Sequence, residues 1–406
     1  LSSLDDIAWL LNIRGNDIAY CPLVLSYAIV YNNSVELFAD IRKFSDDIIN
    51  LLAENQVKIY PYEDIYRKVS EMTSEDKLLL DSSIMNYSLY QAISKETVIV
   101  DKQNPEILMK SVKNETQAEN LRKAHLKDAV AHTKFMYWLK KNIGRVEITE
   151  LSASARLEGL RAEQEHLLGP SFGPISAYGE HGAIVHYSAD EKSNVPLKEG
   201  KLFMTDTGGH YLEGSTDITR TVALGEVGNI EKEHFTLVAR AMLRLANTVF
   251  LYGCSGANLD CIAREVFWKE GLNFNHGTGH GVGYLLNIHE GPINFRWKEG
   301  ERPAPALEEN MVITDEPGIY IEGSHGIRLE NELLVRKTVK NEYGQFMNFE
   351  ILTYVPIDLD AILPEKMSTE EKEMLNHYHK QVYEKVSPYL SEEERIWLKE
   401  YTRAVK

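Results

Sequence analysis

Cysteine, long apolar runs and positive charge are all scarce in this chain of 406 residues. The three cysteines are odd in number and form no C-x-x-C pair, which argues against a zinc knuckle and predicts a reducing, cytoplasmic environment. The longest apolar run, PLVLSYAIVY at 22–31, is too short to cross a bilayer. A net charge of −17 argues against nucleic acid or an anionic membrane as the main partner and favours a small or cationic ligand.

The order of predicted elements divides the chain near residue 110. Before it, the strand-like stretches AWLLNI, SYAIVY, VELFAD and VKIYPY alternate with charged helical stretches, which predicts an α/β layout. After it, long amphipathic helices begin, and from about residue 364 two or three further helices follow, with Ser368 as an N-cap and Glu371 completing a capping box. The chain opens at Leu1 without an initiator methionine, so we expect an N-terminal portion to be missing.

Histidine is concentrated in the second part of the chain. Eight of the 13 histidines fall between residues 181 and 325, in a region rich in glycine and in strand-forming residues. The second domain is therefore predicted to carry the chemistry.

The segment HGTGHGVGYLLNIHEGP contains His276, His280 and His289. Its closely spaced glycines argue against a helix, and therefore against a zinc-binding H-E-x-x-H motif. In an extended chain the side chains alternate, so His276 and His280 would share a face and the glycines would leave the other face bare for another backbone. His276 and His280 would lie roughly 13 Å apart, too far to bind one ion together. Either a single histidine is a ligand, or this is a glycine-rich loop with incidental histidines.

Two further segments place carboxylates opposite each other. In LFMTDTGGHYLEGSTDITRTVALG, a hairpin that turns at Tyr211 and Leu212 would put Asp206 directly across from Asp217. Like charges at opposed positions destabilise a hairpin. The arrangement is reasonable if a divalent cation lies between them, because the ion is then the dominant local charge.

The segment TDEPGIYIEGSHGIRLENELLV repeats this geometry, with Glu316 and Glu330 symmetric about Gly323. Two solvated surface hairpins are the alternative. Four carboxylates and one imidazole form a hard donor set that suits Mn²⁺, and less exclusively Zn²⁺, Co²⁺ or Fe²⁺. Two ions held ~3.5–4 Å apart share a bridging water, lower its pKa and polarise a carbonyl. The two pairs together predict metal-assisted hydrolysis.

The segments DTGGHYLEGSTDITRT, HGTGHGVGYLLNIHEGP, TDEPGIY and GIRLENELLV resemble those of the pita-bread metallopeptidases, and among them the three-domain aminopeptidase P enzymes. Outside these segments, GAIVHY, DIAWLLNIRGNDI, KNETQAENLRKAHLKDAVA and FEILTYVPID look similar as well. The resemblance implies an α+β fold. Residues 111–406 would form a pita-bread catalytic domain with C-terminal helices. Residues 1–110 would be a partial second α/β domain of the creatinase/prolidase N-terminal kind, with the first domain absent.

Carried over by position, the resemblance implies five ligands for two divalent ions: Asp206, Asp217, His280, Glu316 and Glu330. The ions would be Mn²⁺, with Zn²⁺ or Co²⁺ as alternatives. Asp217 and Glu330 would bridge both ions. Glu316 would also act as general base towards the bridging hydroxide that attacks the substrate.

The resemblance also implies residues that contact the substrate. His289 would lie beside the scissile carbonyl, as a stabilising group or proton shuttle, and His186 near the downstream carbonyl. His276 would line the pocket for proline. Tyr320 and Arg328 fall where the family has groups that support the substrate site and orient the ligands.

The implied activity is release of the N-terminal residue from peptides with proline in second position, by a homodimer. Alternatives are prolidase, which cleaves X-Pro dipeptides, methionine aminopeptidase, and a peptide- or histone-binding module on a metal-free pita-bread scaffold. The second domain and the C-terminal helices favour aminopeptidase P, and the full set of ligands weighs against the binding module. His325, at the predicted hairpin tip, has no role in the family and is expected at the surface.

Overall fold

The computed structural model describes residues 1–298, 300 and 303–406. The chain divides into two compact units, residues 1–110 and residues 111–406. Each unit has hydrophobic clusters of its own. Within the described residues, no helix is long and apolar enough to span a membrane.

The first unit contains two small sheets. Strands β1 and β2 form an antiparallel hairpin that β3 joins in parallel, and β4 pairs in parallel with β5. The predicted strands SYAIVY, VELFAD and VKIYPY are thus confirmed as β1, β2 and β3. The elements are α1 (Leu4–Leu11), β1 (Ser26–Val30), β2 (Val35–Ala39), α2 (Asp46–Glu54), β3 (Val57–Tyr60), α3 (Asp64–Ser70), β4 (Lys77–Leu80), α4 (Tyr87–Ala92), β5 (Val98–Asp101) and α5 (Glu106–Ser111).

The predicted strand AWLLNI is wrong, because this segment belongs to helix α1. Asp5 and Asp6 occupy the first turn, where negative charge favours a helix N-terminus. Asn12 ends the helix in the left-handed conformation, with φ 50°. A short run of large apolar residues does not by itself distinguish a strand from a buried helical turn.

The second unit packs long helices around short, mostly antiparallel strands. Helix α8 packs against α9 and α10, and α6 packs against α7, α10 and α11. The elements are α6 (Glu115–Asn142), α7 (Glu150–Ala162), β6 (Leu167–Pro170), β7 (Ile175–Tyr178), β8 (Lys201–Thr207), β9 (Gly209–Tyr211), β10 (Gly214–Ser215), β11 (Ile218–Leu224), α8 (Asn229–Ala246), β12 (Phe250–Leu251), α9 (Gly256–Trp268), β13 (Gly279–His280), β14 (Asn294–Phe295), β15 (Val312–Asp315), β16 (Gly318–Ile321), β17 (His325–Arg328), β18 (Asn331–Asn341), β19 (Gly344–Ile351), α10 (Thr369–Val386) and α11 (Glu392–Tyr401).

Helix ends in this unit follow the capping chemistry of the sequence. Asn114 and Gln117 form a capping box at the start of α6. The predicted box of Ser368 and Glu371 is confirmed at the start of α10. These boxes satisfy backbone N–H groups that have no partner within the helix.

The first carboxylate hairpin differs from its predicted register. Asp206 in β8 pairs with Thr219 in β11, and Tyr211 pairs with Gly214, so the turn consists of Leu212 and Glu213, one residue later than predicted, and the partner of each residue shifts by two. Asp206 is therefore not directly opposite Asp217. A shift of two residues does not change the face of a strand, so Asp217 still projects to the side of Thr219.

The chain leaves the regular ladder where Gly208 passes the backbone of Thr216. A Cβ atom added to Gly208 would lie 1.8 Å from the Thr216 carbonyl oxygen. The register is the same on both sides of this point, so the error lies in the turn, which falls at Leu212 and Glu213 instead of Tyr211 and Leu212.

The second carboxylate hairpin has the predicted symmetry about Gly323, which adopts φ 70°. The β16–β17 ladder and the β15–β18 ladder share one register. Glu316 lies between β15 and β16, and Glu330 lies between β17 and β18. The shared register therefore places the two residues opposite each other. The predicted pairing is confirmed.

The histidine-rich segment is not helical, as predicted, and Gly279 and His280 form strand β13. After this strand the chain folds back and is not extended as predicted: the Glu290 N–H donates to the Gly281 carbonyl, and the Gly283 N–H donates to that of Asn287. Its glycines admit neighbouring backbone. A Cβ added to Gly279 would lie 1.8 Å from the carbonyl oxygen of Thr314, and one added to Gly281 would lie 2.2 Å from that of Glu290. The bare face is therefore used to bring β15 against β13.

We predict that Gly279→Ala destabilises the protein by about 1–3 kcal/mol or more, because the methyl group overlaps the β15 backbone. Gly159→Ala is the control. Among the described atoms, nothing lies within 4 Å of a Cβ added at Gly159, and alanine is more favourable than glycine inside a helix such as α7. Thermal denaturation of both variants checks this. Equal melting temperatures for Gly279→Ala and the parent protein would contradict the packing described.

Candidate metal centre

The predicted ligands meet at the ends of the central strands. One ligand atom from each of Asp217, His280 and Glu330 lies within 4.8 Å of the others, close enough to hold one ion. His280 Nε2 lies 3.5 Å from Asp217 Oδ2 and 3.7 Å from Glu316 Oε1. Asp206 is near enough for its charge to raise the pKa of Asp217. The structure thus brings all five residues into one cavity.

Burial and mutual repulsion make this cavity unfavourable for negative charge. Burial, followed by the charges of Asp206 and Glu316, raises the pKa of Asp217 well above its usual value. Burial and then the charge of Asp217 do the same to the pKa of Glu330. Burial also raises the pKa of Glu316, although His280 opposes this. A bound divalent cation would supply the positive charge that compensates these carboxylates.

The donor set fits divalent ions. In the part of the chain that the structure describes, the buried Oδ1 of Asp206 has no hydrogen-bond partner. Its Oδ2 accepts a hydrogen bond from Arg328 Nη2 at 2.5 Å. Buried polar atoms are rarely left unsatisfied, so an unpaired carboxylate oxygen beside three other carboxylates and an imidazole indicates a metal ligand.

A chain of hydrogen bonds leads from Asp206 to His276. Arg328 donates to Asp206 and, through Nη1, to Tyr320 Oη at 2.8 Å. Tyr320 Oη lies 2.9 Å from His276 Nε2. Burial raises the pKa of Tyr320 to about 12 and lowers that of His276 to about 4, so both are neutral at pH 7. The residues predicted to support the substrate site are connected to a predicted ligand.

His289 and His186 are both exposed and lie near each other. The rings of His280 and His289 are perpendicular, with centroids 4.2 Å apart. Partial burial, and next the charge of His280, lower the pKa of His289 to about 4. His186 is exposed, but its charge contributes to the lowered pKa of both His289 and His276, which places it near both.

His325 is not the surface residue predicted. Its side chain is 3% exposed, and its Nε2 lies 2.8 Å from Nδ1 of His234 on α8. Ser324 Oγ lies 2.8 Å from the other ring nitrogen. The prediction failed because the hairpin packs against α8, and neighbouring residues along the chain do not reveal that contact.

Sequence reasoning missed a buried polar face on helix α6. His125, Asp128 and His132 are fully buried, and their spacing of three and four residues places them on one side of the helix. Three ionisable residues at helical spacing, among alanine, leucine and valine, were the available signal. Only the apolar positions of this helix entered the prediction.

This face holds both arms of the first carboxylate hairpin. Asp128 accepts a hydrogen bond from Arg161 Nε at 2.7 Å and another from Thr216 Oγ1. Arg161 Nη2 also donates to Thr207 Oγ1 at 2.7 Å. Thr207 and Thr216 are the neighbours of the two predicted aspartate ligands, so the buried ion pair restrains both.

Glu332 plays a similar part behind Asp217. Its Oε1 accepts the backbone N–H of Asp217 at 2.6 Å, and its Oε2 lies 3.2 Å from His125 Nε2. Both Glu332 and His125 are fully buried. Glu332 therefore fixes the backbone from which the Asp217 carboxylate projects.

A buried ion pair also anchors the segment that carries His289. Lys113 Nζ lies 2.6 Å from Glu290 Oε1, and both side chains are 1% exposed. The backbone N–H of Glu290 donates to the carbonyl of Gly281, next to His280. The two histidines are thus tied together through their neighbours.

Comparisons with known proteins show which family this chain resembles. The profile of metallopeptidase family M24 matches residues 119–337, that of the creatinase/prolidase N-terminal domain matches residues 1–117, and that of the C-terminal region of peptidase M24 matches residues 345–405. A probable Xaa-Pro aminopeptidase P of Paracoccidioides brasiliensis is 35% identical over 424 residues, which cover 100% of this chain and 68% of the relative.

Solved structures are similar as well. The crystal structure of X-prolyl aminopeptidase from Caenorhabditis elegans, described as a cytosolic enzyme with a di-nuclear active site, superimposes with a TM-score of 0.92 at 34% identity. It is matched over 99% of this chain and 67% of its own. Xaa-Pro dipeptidase from Bacillus anthracis matches with a TM-score of 0.66 at 24% identity, over 87% of this chain and 92% of its own, which shows a shared fold.

We predict that Glu332→Ala weakens metal binding by about 10- to 100-fold, because a group that positions a ligand is lost. The variant should also be less stable by about 1–3 kcal/mol, since the Asp217 N–H loses its acceptor. Calorimetric metal titration and thermal denaturation measure the two effects. Glu332→Gln, which keeps an oxygen at the same reach, should retain most of both. Unchanged metal affinity in Glu332→Ala would show that Glu332 does not position Asp217.

Proposed function

The chain belongs to metallopeptidase family M24, and from this membership and the geometry of its acidic cavity we propose that it is a metal-dependent Xaa-Pro aminopeptidase. It would release the N-terminal residue from peptides with proline in second position. The observation that carries the proposal is the convergence of carboxylates and an imidazole beside a buried, neutral His276. Relatives named Xaa-Pro aminopeptidase support it, whereas the dipeptidase neighbour at 24% identity supports only the fold.

Five residues would hold two divalent ions: Asp206, Asp217, His280, Glu316 and Glu330. The di-nuclear site of the C. elegans enzyme supports two ions, and the hard donor set supports Mn²⁺, with Zn²⁺ or Co²⁺ as alternatives. Such ions lower the pKa of a shared water and polarise the scissile carbonyl. Asp217 and Glu330, with their strongly raised pKa values, would bridge the ions.

The remaining roles belong to side chains around the cavity. Glu316 would accept a proton from the attacking water and pass it towards the leaving nitrogen. His289, uncharged at pH 7 and packed on His280, would donate a hydrogen bond to the oxygen that gains negative charge. His186, exposed at the cavity edge, would contact the downstream carbonyl of the substrate.

The surroundings of His276 support selection of proline. Its Nε2 is bonded to Tyr320, and its Nδ1 lies 2.7 Å from the Gly277 carbonyl oxygen, so neither nitrogen is free for substrate. The Phe274 ring lies 5.0 Å away, between ring centroids. Such a wall accepts the apolar proline ring, which has no amide N–H to satisfy. An ordinary residue would bury an N–H without an acceptor, at a cost of roughly 1–3 kcal/mol.

The organisation of the protein is also proposed. Residues 1–110 would act as a non-catalytic domain and residues 111–406 as the catalytic domain. The match of residues 1–117 to the creatinase/prolidase N-terminal profile supports this division. We further propose a cytoplasmic homodimer. The cytosolic origin of the C. elegans relative and the free cysteines support the compartment, and sedimentation would test the assembly.

We predict that Glu316→Gln lowers kcat by about 100-fold or more, because it removes both a ligand charge and the general base. Circular dichroism should show an unchanged fold. Glu322→Gln, an exposed glutamate in the same hairpin, is the matched control and should retain full activity. A Glu316→Gln variant within about threefold of the parent enzyme, less than ~1 kcal/mol in barrier, would refute the assignment.

We predict that a metal-loaded enzyme cleaves X-Pro-Y with a kcat/KM at least about tenfold above that for X-Ala-Y, since only proline leaves no N–H unpaired. His276→Ala should reduce this preference, mainly through KM. Chromatography of the released first residue gives kcat and KM for X-Pro-Y, for X-Ala-Y and for the dipeptide X-Pro. Comparable cleavage of X-Pro-Y and X-Ala-Y would overturn the proline assignment, and cleavage of X-Pro alone would favour a prolidase.

A further inference from the structure

A buried ion pair on helix α9 contacts the segment that carries His276. Asp260 and Arg264 lie one helical turn apart, and both are fully buried. Nε of Arg264 donates to Oδ2 of Asp260 at 2.6 Å. Burying two charges is costly unless their remaining polar atoms are also bonded. The other contacts of the pair therefore show which parts of the chain it holds.

Arg264 uses its two terminal nitrogens on the backbone next to His276. Nη1 donates to the carbonyl oxygen of Phe274 and Nη2 to that of His276, each at 2.7 Å. The guanidinium carbon also lies 4.0 Å from the centre of the Phe274 ring, and this ring packs on the His276 ring. Because a guanidinium is planar and presents its donors in a fixed fork, one side chain fixes the backbone on both sides of Asn275.

Asp260 extends this contact to the neighbouring segment. Its Oδ2 accepts the backbone N–H of Trp297, two residues after β14, at 2.8 Å. The Thr278 N–H donates to the carbonyl of Phe295 at 2.8 Å, so the two segments are also bonded to each other. The ion pair therefore holds both segments against α9.

The ring of His276 and its backbone are held by different groups. Tyr320 and the Gly277 carbonyl contact the two ring nitrogens, whereas Arg264 bonds the backbone from which the ring projects. Burial, and to a smaller extent the charges of Arg328 and Arg264, lower the pKa of His276 to about 4. A wall against an apolar proline ring needs a fixed position and no charge, and Arg264 contributes to both.

We propose that Arg264 is a positioning residue for the proline pocket, with Asp260 holding its guanidinium in place. This inference rests on the proposed aminopeptidase function, which makes His276 the wall of that pocket. Arg264 acts through His276, because its fork sets how closely the wall approaches the proline ring. A displaced wall loosens the contact with proline and leaves the proposed metal ligands in place, so it weakens substrate binding more than the chemical step.

Arg264→Lys tests the fork separately from the charge. The ammonium group keeps the positive charge beside Asp260, but it cannot reproduce the planar fork that binds both backbone carbonyls. Arg240→Lys is the matched control, because Arg240 on α8 forms an ion pair with Glu371 on α10, with 3.0 Å between Nε and Oε2. The peptides Ala-Pro-Ala and Ala-Ala-Ala report proline preference, and calorimetry reports metal binding.

Arg264→Lys should raise KM for Ala-Pro-Ala about tenfold, with kcat within about threefold of the parent enzyme and a much smaller change for Ala-Ala-Ala. Proline preference then falls while the metal stoichiometry stays the same. Arg240→Lys should keep the KM and the preference of the parent. In a His276→Ala background, Arg264→Lys should cause little further loss of preference, because the wall through which it acts is already absent.

Equal losses on the two peptides, an unchanged preference, or additive effects of Arg264→Lys and His276→Ala would overturn the inference and leave the proposed function standing. If Arg264→Lys does not fold, Asp260→Asn decides by the same measurements and the same outcomes, since its amide keeps an oxygen that accepts from Arg264. A metal-loaded parent enzyme without preference for Ala-Pro-Ala would refute the proposed proline specificity, and this inference with it.

Discussion

Repulsion among buried carboxylates is the constraint on which this structure depends. Asp206, Asp217, Glu316 and Glu330 share one cavity, and Glu332 adds a further carboxylate directly behind it. In a medium of low polarity each additional negative charge is costly unless a partner compensates it. Among the described residues, Asp206 is the one member of this set that pairs with an arginine or lysine, namely Arg328, and its other oxygen has no hydrogen-bond partner there. The arrangement is understandable as the binding site of multiply charged cations.

Holding these groups together requires a rigid support, which the protein builds from buried polar contacts. Helix α6 supplies Asp128, which with Arg161 restrains both arms of the first hairpin. Lys113 and Glu290 fix the segment that carries His289. Buried charged pairs contribute little net stability, because desolvation offsets their attraction, but they define positions. We interpret their concentration around the cavity as positioning of ligands and histidines.

Much of the site was predictable because its signals are local. The symmetry of Glu316 and Glu330 about Gly323 follows from the two-residue period of a strand, and the glycines around His280 indicate close backbone approach whatever the partner. The register of Asp206 and Asp217 was not predictable, because the local pattern does not decide which two adjacent residues form the turn between them. The same holds for His325, which is buried by helix α8, and for Glu332, whose partner Asp217 is 115 residues away.

In the fold, strands with β-branched residues and capped helices were predicted correctly, whereas AWLLNI was not. An eight-residue helix and a short buried strand present the same apolar run, and tertiary contacts decide between them. The polar face of α6 illustrates the converse. Its spacing was visible in the sequence, but its meaning depends on which strands it contacts.

Metal stoichiometry tests the central claim most directly. Protein freed of metal by chelation is titrated with Mn²⁺ in a calorimeter, and bound metal is counted by elemental analysis after dialysis. We expect two ions per chain, and a loss of both in Asp217→Asn, which removes a ligand proposed to bridge them. Glu322→Gln, on the exposed hairpin turn, should still bind two. Absence of bound metal in the parent protein, or full binding by Asp217→Asn, would contradict the account.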